Sequence, residues 1–316
     1  MNCLAYCISF LLAPFTAPRL LVEMTYGVKK IRVIRVIKIL LLFNSMSDHI
    51  YNYRDTHLSL YQVNSNYHLL LQIFPASFSY AITYQNKLLA WARDCDLKVL
   101  DDPGDDHELL TFNYTKVAVG LQPSGFTLVP NALFSEEKVA DFARFLDVKP
   151  GEKVFAQRLD ADNCIIYKVD EKVAATAQIY GLQNAVFVNK GWINTITSSN
   201  PPEHNLYLNI DKTTVDILHF VNGKVRFYNS FEFTNPDELA YYAAFVAQEL
   251  QLTPRDLNLV VSGDINIDDK NGLRLAEFFN GVEQNELPVL SFPAEVFPHQ
   301  LLSLAALSLC VSSEEY

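Results

Sequence analysis

The chain has 316 residues, half of them hydrophobic, with only 14 Pro and 11 Gly; it is long enough for two domains with buried cores and is neither disordered nor fibrous. Its formal charge of -11 is uneven: residues 1–45 carry six Lys or Arg against the single Glu23, leaving a body of 19 basic and 35 acidic side chains that repels phosphate backbones and argues against nucleic acid as the main partner. Five scattered cysteines, Cys3, Cys7, Cys95, Cys164 and Cys310, contain no Cys-x-x-Cys and suit free thiols in a reducing cytoplasm better than a disulfide framework or a zinc site.

Met1 to Pro18 is uncharged, but it contains Pro14, ends at Arg19 and is short of the roughly 20 apolar residues of a membrane span. No basic residue precedes it, as a secretory signal requires. Lys29 to Phe43 is basic and apolar with weak periodicity. Three readings stand: sequence upstream of a true start at Met46, which is the expectation; a membrane anchor whose basic residues from Lys29 to Lys38 hold the acidic body in the cytoplasm; or an ordinary buried segment.

Beyond this extension strands dominate, at Leu58 to Tyr61, Leu69 to Ile73, Phe78 to Ile82 and Leu88 to Trp91. A shift of 137 residues lays this region without a gap on a second one: Leu69 falls on Leu206, Leu71 on Leu208, Gln72 on Asn209, Ile73 on Ile210, Lys87 on Lys224 and Trp91 on Tyr228. That offset predicts an internal duplication and two related lobes. The acidic turn Asp101 to Asp106 lacks the alternate-residue spacing of a calcium loop and reads as solvated. A strand at Lys116 to Val119 is followed by a helix opened by Ser135, with Val139, Phe142, Ala143, Phe145 and Leu146 on its inner face, stopped at Lys149-Pro150-Gly151. Strands at Val154 to Leu159 and Cys164 to Val169 follow, then Val173 to Tyr180 and Ala185 to Val188. Ser198-Ser199-Asn200-Pro201-Pro202 is the clearest linker and sets the expected boundary, with residues 46–200 in a first lobe and 201–316 in a second.

The second region is the plainest. Leu206, Leu208 and Ile210 alternate with Tyr207 and Asn209; Val215 to Val221 is the next strand; Asn222-Gly223 is a strong hairpin signal; and Lys224 to Phe233 is the third strand. Asn235 caps a helix with Pro236 at its first position and a stripe of Leu239, Tyr242, Ala243, Val246 and Leu250. Leu257 to Val261 is a buried strand ending in Ser262-Gly263-Asp264. Asp268-Asp269 caps a helix carrying Leu273, Leu275, Ala276, Phe278 and Phe279, and a last helix from about Pro298 to Cys310 buries Leu301, Leu302, Ala305, Ala306 and Leu309. Three strands, a helix and a strand, with an acidic residue at the first turn, resemble the start of an actin-like nucleotide-binding domain. The expected fold class is α/β with mixed sheets, an actin-like or ribonuclease H-like duplicated fold.

That fold grips ATP phosphates between two hairpin turns rich in glycine, which lets backbone N–H groups approach closely. The second-lobe turn resembles the pattern in Asp211, Thr213, Thr214 and Asp216 but contains no glycine; the first-lobe turn, Phe74-Pro75-Ala76-Ser77, lacks both Asp and Gly, and Pro75 has no N–H to give. Gly263 stands where the family contacts adenosine, and also reads as a plain strand-ending turn. Asp211 and Asp216 could share a cation, or simply belong to a capped hairpin. No P-loop, Rossmann, nucleophile-elbow or zinc-protease motif occurs, and the seven histidines never take metal-ligand spacing. No catalytic or metal residue is assigned.

Val225 to Phe233, then Asp237, Tyr241-Tyr242, Phe245-Val246 and Leu250, then Leu257 to Gly263, with His299 and Cys310 near the end, resemble an uncharacterised bacterial family, domain of unknown function 3822, over about Asp48 to Cys310. The resemblance implies an actin-like architecture near the pilus-assembly branch and carries no established reaction. Two readings remain open. One is a cofactor-free interaction or scaffold module with a protein partner and no nucleic acid, cytoplasmic or, if residues 1–45 are an anchor, tethered at the inner membrane with its body in the cytoplasm. The other is an ATPase that binds Mg-ATP through Asp211, Thr213, Thr214, Asp216 and Gly263.

Overall fold

The computed structural model describes residues 52–56, 58, 67–103, 108–114 and 116–311, all within one compact unit spanning 50–316. The expectations for residues 1–45, and most of those for Leu58 to Tyr61 and for the acidic turn after Pro103, fall outside the described residues.

In chain order the strands are β1 (Tyr53–Arg54), β2 (Tyr67–Ile73), β3 (Ser77–Tyr84), β4 (Lys87–Asp96), β5 (Lys116–Leu121), β6 (Gly125–Pro130) and β7 (Glu152–Arg158). They continue as β8 (Asn163–Asp170), β9 (Ala185–Phe187), β10 (Asn205–Ile210), β11 (Thr214–Val221), β12 (Lys224–Glu232), β13 (Asn258–Gly263) and β14 (Gly281–Gln284). The helices are α1 (Lys98–Asp101), α2 (Val139–Ala143), α3 (Glu171–Gln178), α4 (Lys190–Ser198), α5 (Pro236–Glu249), α6 (Lys270–Ala276), α7 (Pro298–Ala306) and α8 (Ser308–Val311). Three sheets result, ordered β1-β4-β3-β2-β5-β9, β12-β11-β10-β13-β14 and β6-β8-β7.

The paired meanders of the two large sheets keep the same offset through most of their register. Leu69 pairs with Ile82 across β2 and β3, and Leu206 with His219 across β10 and β11, 137 positions on in both strands. A register shift falls between Ile82 and Thr83 in the first sheet and between His219 and Phe220 in the second, again 137 apart. Each meander then takes a parallel strand on its other side, β5 on β2 and β13 on β10, and a further parallel strand beyond it, β9 and β14. The β11–β12 turn carries positive φ at Asn222 and Gly223, the pair that suits a two-residue hairpin. Its counterpart uses Gln85 and Asn86 with the same positive φ, so one copy holds the turn without glycine. The duplicated, mixed α/β fold expected from the offset is present.

Burial explains the elements. In β2 every residue but His68 is buried, and in β3 every residue but the end positions Ser77 and Tyr84, because both faces of the first sheet are covered. In the second sheet Leu206, Leu208, Val215 and Ile217 pack on α5 through Leu239, Ala243 and Val246. Asn235 accepts the Glu238 N–H at 3.0 Å and Asp269 accepts the Asn271 and Gly272 N–H groups, so both expected caps form. The last helices tie the halves together: Leu301 and Leu304 of α7 pack with Leu70, Ala81 and Trp91 of the first sheet, while α7 also touches β13.

Several expectations need correction. The segment from Ser135 to Leu146 is a five-residue α-helix between two short 3₁₀ turns; Ser135 makes no side-chain cap, Phe145 is 82% exposed and only Ala143 is buried. Asp147, at φ 48, ends it before a second full turn can bury the stripe. On α6 Leu275 is buried, as is Phe279 just beyond it, whereas Leu273, Ala276 and Phe278 face outward. The last helix breaks at Leu307 into α7 and α8, which turns Leu309 into solvent at 48% exposure. Val173 to Tyr180 lies largely in α3, and Lys190 to Ser198, unassigned from sequence, is α4.

Candidate functional site

The turns after β2 and β10 face each other across a cleft of about 730 Å³, a volume in the range of small-ligand sites. Asp211, Thr213, Thr214, Asp216 and Gly263 all line it, so the structure brings the five sequence-selected residues together. Phe74, Pro75 and Ser77 line the other wall. The two turns close with the same bond: the Phe74 N–H donates to the Ser77 carbonyl at 2.9 Å, and the Asp211 N–H to the Thr214 carbonyl at 2.8 Å.

The five residues nonetheless do different things. Asp211 and Thr213 are exposed in the turn, and an Asp211 carboxylate oxygen accepts the Lys212 N–H at 2.8 Å. Thr214 begins β11 and is half-buried. Asp216 lies two residues further into the strand and is buried. Gly263 ends β13 with φ +90 beside Ile210, and a Cβ there would sit 2.0 Å from the Ile210 carbonyl oxygen. The neighbouring Asp264 N–H donates to that same oxygen at 2.7 Å. Close packing of two strand ends therefore accounts for the glycine.

Asp216 is the centre of a buried polar chain. The Asn189 amide donates to its Oδ2 at 2.7 Å and to the Tyr228 hydroxyl oxygen at 3.0 Å, and the Tyr228 hydroxyl donates to its Oδ1 at 3.2 Å. Asn209 adds a longer bond to Oδ2 at 3.4 Å. The Ser303 hydroxyl of α7 donates to Asn189 Oδ1 at 2.9 Å, and Gln72 of β2 donates to Ser303 at 2.9 Å, so the chain runs from the first sheet to the second. Phe126 stacks on the Tyr228 ring at 5.1 Å and Phe187 meets it edge-on, fixing the hydroxyl. Burial raises the Asp216 pKa, against hydrogen bonds from Asn189, Ser230, Asn209 and Tyr228 that favour the anion. Burial, then the Asp216 charge, holds the Tyr228 hydroxyl well above its usual range.

The offset already paired Gln72 with Asn209 and Trp91 with Tyr228, and all four line the cleft. Asn189 and Ser303 carry no such signal, because each reaches the cleft from a helix or loop outside the repeated meanders. At the mouth, Arg93 pairs with Asp264 at 2.9 Å and Lys212 with Asp94 at 2.8 Å. Among the described residues no cluster of His, Cys, Asp and Glu has the grouping of a metal site.

The Asp216 pKa shift makes a pH prediction. A carboxyl whose folded pKa is raised contributes stability that is complete below the unfolded value, about 3.9, and is lost as pH rises through the folded value. Asp216→Asn should therefore melt higher than the parent at pH 7, with the gap shrinking as pH falls toward about 4. Calorimetric melts across that window check it; a gap that widens toward low pH would mean the native carboxylate is stabilised rather than strained by its site.

The protein family described as Protein of unknown function (DUF3822) matches residues 57–282. His299 and Cys310, expected within the likeness, lie beyond that span. Among solved structures the chain is similar to a Bacteroides thetaiotaomicron protein with an actin-like ATPase fold and unknown function, at 19% identity and a TM-score of 0.65, covering 78% of this chain and 96% of that one. It is also similar to a PilM-PilN type IV pilus biogenesis complex, at 11% identity and a TM-score of 0.50, covering 78% of this chain and 98% of that one. No curated protein matches it. The fold is thus that of the actin-like ATPases.

Proposed function

The chain belongs to the DUF3822 family, and we propose that within it this protein is a nucleotide-independent interaction or scaffold module: a pseudo-ATPase that keeps the actin-like fold and recognises a protein partner without a cofactor. The observation that carries this reading is the pair of cleft turns. Neither contains a glycine, Pro75 has no N–H, and Phe74 stands opposite Asp211 in the repeat, so the first-lobe turn has no acidic counterpart of Asp211 with which to hold Mg²⁺. Asp216 is already wrapped by the protein's own donors. Mg-ATP does not fit this set of groups, and no step is assigned to it.

A triphosphate site loses on the order of 1.5–3 kcal/mol for each missing charge-assisted hydrogen bond. Two or three such losses turn a micromolar site into one of millimolar affinity or weaker over most of that range. Calorimetry with Mg-ATP should accordingly give no binding tighter than about 100 μM. Tighter binding that Asp211→Ala abolishes would overturn the reading and promote the ATPase alternative through Asp211, Thr213, Thr214, Asp216 and Gly263.

A protein partner is supported by the structural neighbour that is a PilM-PilN type IV pilus biogenesis complex, and by the acidic body, which disfavours nucleic acid. We place the body in the cytoplasm, where the thiols of Cys95 and Cys164 would stay reduced. Among the described residues no helix is long and apolar enough to cross a membrane. We assign residues 46–200 and 201–316 to two lobes, each centred on one copy of the repeated sheet.

A further inference from the structure

We propose that four charged side chains, Lys212, Asp94, Arg93 and Asp264, form a clasp that ties the two rims of the cleft together and lets them part when its charges are screened or drawn away. This goes beyond the nucleotide-independent reading and stands without it. The four alternate in sign along one continuous chain: Lys212 Nζ lies 2.8 Å from Asp94 Oδ2, Arg93 Nε lies 3.7 Å from the same oxygen, and Arg93 Nη2 lies 2.9 Å from Asp264 Oδ1. Arg93 and Asp94 belong to β4 of the first sheet. Lys212 is the tip of the turn between β10 and β11, and Asp264 follows the end of β13, so both outer links cross from one sheet to the other at the cleft rim.

The second copy of the repeat lacks this arrangement. The shift near Ile82 recurs at His219, but the first sheet has a second irregularity that the other lacks: between Phe78 and Tyr80 the partner strand skips from Cys95 to Ala92, leaving Arg93 and Asp94 as a bulge opposite Ser79. Asp94 there takes φ 59, and its N–H reaches the Ser79 hydroxyl at 3.4 Å. The corresponding stretch of β12 runs in unbroken register through Ser230 and Phe231, neither of them charged. A bulge re-aims side chains, and here it turns a cation and an anion toward the opposite rim. Both links are partly exposed, which keeps each one weak and salt-sensitive, so the clasp can open without unfolding the sheets behind it.

The chain contains two tryptophans, and only Trp91 lines the cleft, where it is 7% exposed; Trp192 is fully buried. Acrylamide quenching of the full-length protein therefore reports the clasp, with Trp91→Phe fixing the background. Raising NaCl from about 0.05 to about 1 M, which shortens the screening length to about 3 Å, should raise the Trp91 quenching constant roughly threefold. R93Q/K212Q should show the raised value already at low salt and respond no further, and the exchange R93E/D264R should bring back both the low value and its salt response. Quenching of the parent that ignores salt overturns the proposal without any variant having to fold. So does a salt response that R93Q/K212Q, still cooperative in its melting, retains in full.

Discussion

Replacing Trp192 with alanine should lower the unfolding free energy by about 3–5 kcal/mol, the range for deleting a large aromatic from a core. Trp192 is fully buried on α4, in one cluster with Leu302, Ala305 and Ala306 of α7 and with the first sheet through Leu71 and Val119. Its indole N–H also donates to the Ser262 hydroxyl at 3.3 Å, near the end of β13 in the second sheet. The substitution removes the largest fully buried side chain and leaves the buried Ser262 hydroxyl without its donor. The surroundings collapse poorly, because α4 and α7 are already in contact at Gly191, where a Cβ would lie 2.3 Å from the Ala306 carbonyl oxygen. Urea unfolding checks it: Trp192→Phe, which keeps most of the volume, should recover more than half of the loss, and a Trp192→Ala loss under about 1.5 kcal/mol would mean that the helix pair is not a core junction.

Trp192 also shows where the sequence was mute. Lys190 to Ser198 reads KGWINTITS, with a glycine near its start and four β-branched residues, a poor helix on propensity; it is helical because Trp192, Ile193 and Ile196 are buried together, a tertiary gain that no local pattern announces. The reverse failure occurred at Phe142, Phe145 and Leu146, where helical spacing was present but the small β6-β8-β7 sheet offers them little to cover. The strand trios were legible because alternation, paired turn residues and caps all agreed, and the 137-residue offset survives as identical registers. In the cleft, Asp211, Thr213, Thr214 and Gly263 could be found because they sit at strand ends. Asp216 could be found but not understood, since its partners Asn189 and Ser303 come from outside the repeat. The Arg93-Asp94 bulge had no signature at all, because an extra residue in a strand leaves the apolar pattern on both sides intact.

Gly263→Ala should destabilise the protein by about 3–5 kcal/mol, more than a backbone preference can explain. A non-glycine residue held at φ +90 carries strain on the order of 1–3 kcal/mol. The remainder is steric, since the new methyl would stand 2.0 Å from the Ile210 carbonyl oxygen, and that atom is backbone in the central strand of the second sheet. Relief requires β10 and β13 to part at the position where Ile210 pairs with Gly263, which stretches the 2.7 Å bond from the Asp264 N–H to the Ile210 carbonyl. Gly223→Ala separates the two terms: its φ is +71, but a Cβ there meets nothing within 4 Å, so it should lose only about 1–2 kcal/mol. Urea unfolding of both variants gives the comparison. A Gly263→Ala loss well above that of Gly223→Ala assigns the glycine to the packing of β13 on β10, and because the parting carries Asp264 away from Arg93, it should also raise Trp91 quenching at low salt. Equal losses would remove the packing argument, and Gly263 would again be a residue whose small size serves whatever enters the cleft.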